Sequence, residues 1–291
     1  IDFGAGPPVF SDVSRDPCAP GNDEDVVVSA VITDNSDISS AEIMYSDGGA
    51  YQSVTMVEGT DDIWTGTIPG TDDGVESLYY YYISATDDGT DQDEPKTSTY
   101  PYDIENDQLG YLGMDELGIE DIQFTEWPSG NSLYDGCEVT VWGIVTADTA
   151  QYNSGYGAYA IQADNDPWDG IIFDGWDDTE LTRGDAVTIS GTVAEFDPEW
   201  HFKYDNNTKI IDVSSVTVTG EGSVENLVLL VSTEDLAQDA DEVESYEGCL
   251  VTVSGVTVSA VNEHDWSIVD DSGVECLIDD DMTNMAADNY M

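Results

Sequence analysis

Basic residues are almost missing from this chain. Its 291 residues include only Arg15, Arg183, Lys96, Lys203 and Lys209, with His201 and His264 as the only imidazoles, against 63 Asp and Glu, for a formal net charge of -58. Phosphate backbones are held mainly by Lys and Arg that neutralise charge, so this balance argues against nucleic acid as a partner. No run of 18 apolar residues occurs, so no segment is expected to insert in a membrane. G-x-S-x-G, H-E-x-x-H and P-loop patterns are absent, as is C-x-x-C, and two histidines offer little to a zinc site or a catalytic base. We therefore expect a protein that is not an enzyme. The sequence opens on "IDFGAGPP", without an initiator Met or a signal-peptide pattern, and we expect a processed or trimmed chain.

What is present is apolar enough to fold. Hydrophobic residues make up 40%, with seven Trp and sixteen Tyr, too much for a disordered acidic tail. The acid must coat folded domains. Spread over the surface expected for this mass, the carboxylates stand roughly 14 Å apart, against a Debye length of about 8 Å in physiological salt and about 3 Å at 1 M. Two explanations follow, adaptation to a salty habitat and loading with divalent cations. Four cysteines in an acidic chain with Gly/Asp turns point to an extracellular or cell-surface protein with up to two disulfides.

Residues 8–104 read as seven short strands with turn signals such as "SDGG", "PGTDDG" and "DDGTDQDEP" every 8–12 residues, the spacing of a β-sandwich. Residues 105–120 read as a linker. A repeat follows: "YDGCEVTVWGIV" at Tyr134–Val145 returns as "YEGCLVTVSGVT" at Tyr246–Thr257. The first copy, within 121–222, continues through "GAYAIQAD", "WDGIIFDGW", "DAVTISGTVAEF" and "TKIIDVSSVTVTG", five strands that suggest a small barrel. The second, within 223–291, matches only the first three, with "DWSIVDD" and "ECLIDDD", and lacks roughly 35 residues of the pattern. Either residues beyond Met291 complete it or another chain supplies the missing strands.

Two resemblances fit this division. "PPVFSDVSRDP", "SDGGAYQSVTM" and "YYYYISATD" resemble bacterial and archaeal extracellular immunoglobulin-like or fibronectin-III-like modules. "GIVTAD", "AYAIQADNDPWDGI" and "RGDAVTISGTV" resemble the OB modules of secreted, including nuclease-associated, proteins. They imply an all-β chain, an Ig-like sandwich (1–104) followed by two OB-like barrel units, the second incomplete. Fold alone assigns no activity.

Alternation places Cys137 and Cys249 with the inward valines of their strands, and Cys276 with Ile278. Cys249 and Cys276 are then placed to meet within the second copy, and Cys18 in "RDPCAPG" to join Cys137; four cysteines allow three pairings, and buried free thiols are the other reading. Calcium takes six to eight oxygens, and two acidic groups offer them. One comprises Asp23, Asp25, Asp72, Asp73, Asp103, Glu105 and Asp107 at the expected domain junction. The other comprises Asp34, Asp37, Asp87, Asp88 and Asp91 at the far end of the sandwich. The "DNDPWDG" loop, with Asp164, Asp166 and Asp169, is a third, without EF-hand spacing. Solvated acidic turns explain all three equally. The expected role is architectural: a subunit of an extracellular filament, appendage or surface layer whose partners are copies of itself or other surface proteins. The alternative is a glycan-binding module of a secreted hydrolase, using Trp142, Tyr159, Trp168, Trp176 and Trp200, since neutral sugars feel no repulsion from the acid.

Overall fold

Alternating burial runs along the strands, and it decides which sheets form. In Ser77–Asp87 every second residue from Tyr79 onward is buried while its neighbours stay half exposed, the mark of a strand packed on one face. A computed structural model describes residues 6–71, 76–90, 94–148, 158–176, 180–196, 207–237, Ala240, 243–261 and 265–279. It is essentially all β, with several sheets and one short helix, α1, at Ile119–Gln123. No helix among the described residues is long and apolar enough to cross a membrane. The chain divides into two compact units, Ile1–Glu116 with Glu126–Ser129, and Leu117–Thr125 with Gly130–Met291.

The described residues of the first unit form β1 (Val9–Asp16), β2 (Val26–Thr33), β3 (Ile38–Ser46), β4 (Gln52–Thr55), β5 (Val57–Glu58), β6 (Ile63–Ile68), β7 (Ser77–Asp87), β8 (Thr97–Tyr100) and β9 (Leu109–Gly113). One sheet runs β1-β2-β6-β5; the other runs β4-β3-β7-β8, with β9 also on β7. Val26, Val28 and Ile32 of β2, Trp64 and Ile68 of β6, Ile43 of β3 and Tyr81 and Ile83 of β7 share one buried core. "AYQSVTMVEG", expected as one strand, changes sheet at buried Met56, β4 joining β3 and β5 joining β6. The expected linker also departs from expectation. Its Leu109–Gly113 forms β9, antiparallel to Ser77–Tyr81, because buried Tyr111 stacks on Tyr79 at 5.0 Å.

The second unit contains a closed barrel of β10 (Glu138–Ala147), β11 (Tyr159–Gln162), β12 (Gly170–Phe173), β13 (Asp185–Phe196) and β14 (Asn207–Glu221), in the order β10-β11-β12-β14-β13. All pairings are antiparallel except β12 with β14. Val141, Val145, Ile161, Ile171, Phe173, Val187, Ile189, Val193 and Ile210 are buried.

The second copy of the repeat starts differently. Where β10 is continuous, its counterpart breaks at Gly255, whose φ of 72° suits glycine. The result is β16 (Val251–Val253) and β17 (Thr257–Val261). β16 pairs in parallel with β15 (Leu229–Val231), while β17, β18 (Asp265–Val269) and β19 (Glu275–Asp279) form a three-stranded antiparallel sheet. The buried Gln162 side chain ties this copy to the barrel, donating to Leu227 O and accepting from Leu250 N. Gly170 and Gly248 meet backbone to backbone; a Cβ on Gly170 would lie 2.4 Å from the Gly248 carbonyl carbon.

Candidate functional site

Four consecutive tyrosines, Tyr79–Tyr82, lie on β7, and a strand sends alternate side chains to opposite faces. Tyr79 and Tyr81 enter the sandwich core. Tyr80 and Tyr82 therefore stand half-buried on the outer face, about 7 Å apart along the strand. Each gains a second ring. Trp127 meets Tyr80 edge to face with centroids 5.4 Å apart, and Tyr51 tilts against Tyr82 at 5.4 Å. Met44 of β3 lies directly opposite Tyr82 in the ladder. Aromatic pairs of this kind hold each other in place, so the outer face carries an ordered row, Trp127, Tyr80, Tyr82 and Tyr51.

Polar groups fix the ends of the row. The Tyr51 hydroxyl donates to Gln108 Oε1, and Gln108 Nε2 donates to Ile104 O at 3.0 Å. The Tyr80 hydroxyl bonds the exposed Glu126 carboxylate; burial, then that bond and charge, raise its pKa, so the phenol stays neutral. Burial, then Tyr51, raises that of Tyr82. The face thus presents flat apolar rings bordered by amide, carboxylate and hydroxyl groups. That can stack on and hydrogen-bond a neutral polyhydroxylated ligand.

The aromatics singled out in the barrel are scattered. Tyr159 is buried and stacked on Phe173 at 5.1 Å, so it is core. Trp168 packs edge to face on Phe124, Trp142 is exposed alone on β10, and Trp176 is half-buried; Trp200 lies outside the described residues. The signal for the sandwich row was present in "SLYYYYISATD", whose even-numbered tyrosines face outward once the odd ones are assigned to the core.

Several of the acidic candidates accept hydrogen bonds close to their own turns. Asp25 Oδ1 accepts from Gly70 N, Asp103 Oδ2 from Asn106 Nδ2, and Asp34 Oδ1 from Ser36 N and Oγ. Fully buried Asp87 accepts from Gly89 N and Lys96 N, Asp88 accepts from Thr90 N, and Asp37 O accepts from Asp88 N. Asp23 adopts a φ of 65° in its turn, and Glu105 is exposed. Burial, then Asp103, raises the pKa of Asp107. Asp72, Asp73 and Asp91 lie outside the described residues. Among the described residues no three Asp, Glu, His or Cys side chains are grouped as ligands of a metal ion. In the third loop Asp169 is pushed up to about 6 by burial and by Glu120, Asp164 and Asp166.

Cys18 and Cys137 are each disulfide-bonded. Cys249 and Cys276 are free thiols, which corrects the pairing expected between them. Cys249 lies after the turn Val243–Tyr246 against the Trp168–Gly170 backbone, while Cys276 faces Leu236 O from β19; burial raises both pKa values, Cys249 to about 11.

No family model and no curated protein matches the chain. Among solved structures it is similar to a cycloalternan-forming enzyme of Listeria monocytogenes in complex with a pentasaccharide substrate, at 12% identity and a TM-score of 0.26. It is similar also to an uncharacterised protein of Listeria monocytogenes in complex with α-D-glucose, β-D-glucose, magnesium and calcium, at 11% identity and a TM-score of 0.26. Each match covers 94% of this chain, which spans 18% of the length of those chains. Likeness at this level assigns neither a fold nor an activity to this chain.

Proposed function

We propose that this chain is a non-catalytic glycan-binding module of a secreted or cell-surface protein. Its first unit is a sandwich of the immunoglobulin or fibronectin-III kind, and its barrel is of the OB kind, whose closure the order β10-β11-β12-β14-β13 supports. One observation carries the reading: the row Trp127, Tyr80, Tyr82, Tyr51 on the outer sheet face. Pre-ordered rings with hydrogen-bonding neighbours bind at little entropic cost, and Gln108 and Glu126 stand at the two ends to orient a sugar. The net charge of -58 repels polyanions and leaves neutral polysaccharides indifferent.

The test is affinity electrophoresis through gels loaded with neutral polysaccharides. The wild-type chain is expected to be retarded in at least one. The Tyr51→Ala/Tyr82→Ala variant is expected to lose about tenfold or more in affinity, since truncating a buried aromatic anchor commonly costs more than 1 kcal/mol. Equal retardation of both proteins contradicts the assignment. A second reading, a subunit of an extracellular filament or surface layer, is favoured by β17 and β19, which have a neighbouring strand on one side only among the described residues.

A further inference from the structure

Beside the aromatic row, the same sheet carries a second row of a different kind. Thr55 of β4 pairs with Glu42 of β3, Glu42 with Ser84 of β7, and Ser84 with Thr99 of β8. Four strands thus set four polar residues side by side in one rung. Their chain neighbours Ala41, Ile43, Ile83, Ala85 and Ser98 are buried, so the four point to the outer face, as Tyr80 and Tyr82 do. Ser84 follows Tyr82 on that face, about 7 Å further along β7, and adjacent strands lie about 5 Å apart.

Two observations set this rung apart from an ordinary solvated face. Its side chains are open: none of the four has a hydrogen-bond partner among the described residues. The next rung is closed, with the Thr86 and Thr97 hydroxyls bonded to each other at 2.8 Å and the Ser39 hydroxyl donating to Thr86 O at 2.9 Å. The face is also nearly clear of acid. In a chain with 63 acidic residues, β3, β4, β7 and β8 contain only Glu42 and the fully buried Asp87. A carboxylate accepts from two hydroxyls at once, and the Ser and Thr hydroxyls on either side of it both donate and accept.

We propose that this rung is a second subsite of the glycan site, holding by hydrogen bonds the sugar that adjoins the one stacked on Tyr82. It rests on the glycan reading of the aromatic row and specifies the ligand further. The ligand is a neutral polysaccharide chain lying along β7, with free vicinal hydroxyls on the sugar over Glu42. Tyr80 to Ser84 spans roughly 13 Å of strand, longer than a single sugar ring.

The test uses the full chain in affinity gels loaded with soluble starch, dextran or galactomannan, with free sugars as competitors. Glu42→Ala/Ser84→Ala is expected to weaken retardation about tenfold, the scale of a lost hydrogen bond to a charged group, with the thermal midpoint unchanged. Glu42→Gln keeps an acceptor oxygen and is expected to lose less than Glu42→Ala. For the wild type, a hexasaccharide of the retarding polymer is expected to compete much better than its monosaccharide at equal mass; in the double variant that advantage shrinks. The second subsite is overturned, and the glycan reading stands, if Tyr51→Ala/Tyr82→Ala loses retardation while Glu42→Ala/Ser84→Ala keeps it. A midpoint that falls together with affinity, or a monosaccharide that competes as well as the hexasaccharide, overturns it too. If no gel retards the wild type, or if both double variants are retarded as the wild type is, the glycan reading itself fails and the subsite with it.

Discussion

Glu247 is the most perturbed carboxyl described with a definite direction. Burial, then the charges of Glu244 and Glu195, push its pKa up to about 9, and it donates a hydrogen bond to Glu244. A carboxyl whose pKa is higher folded than unfolded stabilises the fold fully below its unfolded pKa of about 4.3 and loses that contribution as pH rises through the folded value. The unfolding free energy is therefore expected to fall between about pH 5 and pH 9, by at most about 1.4 kcal/mol per pH unit for one proton. Glu247→Gln should flatten the profile in urea titrations. At the same scale, alkylation without reductant should label Cys249 and Cys276 after denaturation and leave Cys18 and Cys137 unlabelled. Labelling of all four would contradict the structure. The tyrosine alternation was legible in the sequence, because a strand with one buried face has period 2. Trp127 was not, since it reaches Tyr80 from a separate segment, residues 126–129 of the first unit.

Among the elements, the repeat and its truncation were readable from "YDGCEVTV" and "YEGCLVTV", and the barrel closes with the strands expected of the first copy. Three features were not readable. Met56 turns one apparent strand into two, because its side chain enters the core at the crossing between sheets. The linker contains β9, whose pairing with β7 depends on Tyr111 reaching Tyr79. The free thiols are the third, because Cys249 precedes β16 rather than lying in it, and alternation along that strand does not place it against Cys276. Gln162 is the element-scale test. Gln162→Leu removes the acceptor for Leu250 N and the donor to Leu227 O. At about 1–3 kcal/mol for each buried group left unpaired, urea unfolding should show a loss of about 2–6 kcal/mol. A change within error would mean that the barrel and the second copy are held by other contacts.

Charge governs the molecule as a whole. With five basic residues against 63 acids, salt has few attractive pairs to screen and many repulsive ones. The thermal midpoint is therefore expected to rise from dilute buffer to molar sodium chloride, as differential scanning fluorimetry would read it; a flat or falling midpoint would mean that the acid coat is neutral to stability. Calcium should add nothing beyond its ionic strength if the carboxylates act only as turn caps, and a further rise at equal ionic strength would point to cation binding. The same coat argues against polyanionic ligands and tolerates neutral ones, such as a glycan on the outer face of the β4-β3-β7-β8 sheet. Hydroxyl-radical footprinting with and without a retained neutral oligosaccharide tests that claim most directly. Protection of Tyr51, Tyr80, Tyr82 and Trp127 is expected, with oxidation of exposed Trp142 unchanged; protection of Trp142 with the sandwich row unaffected would contradict glycan binding at that row.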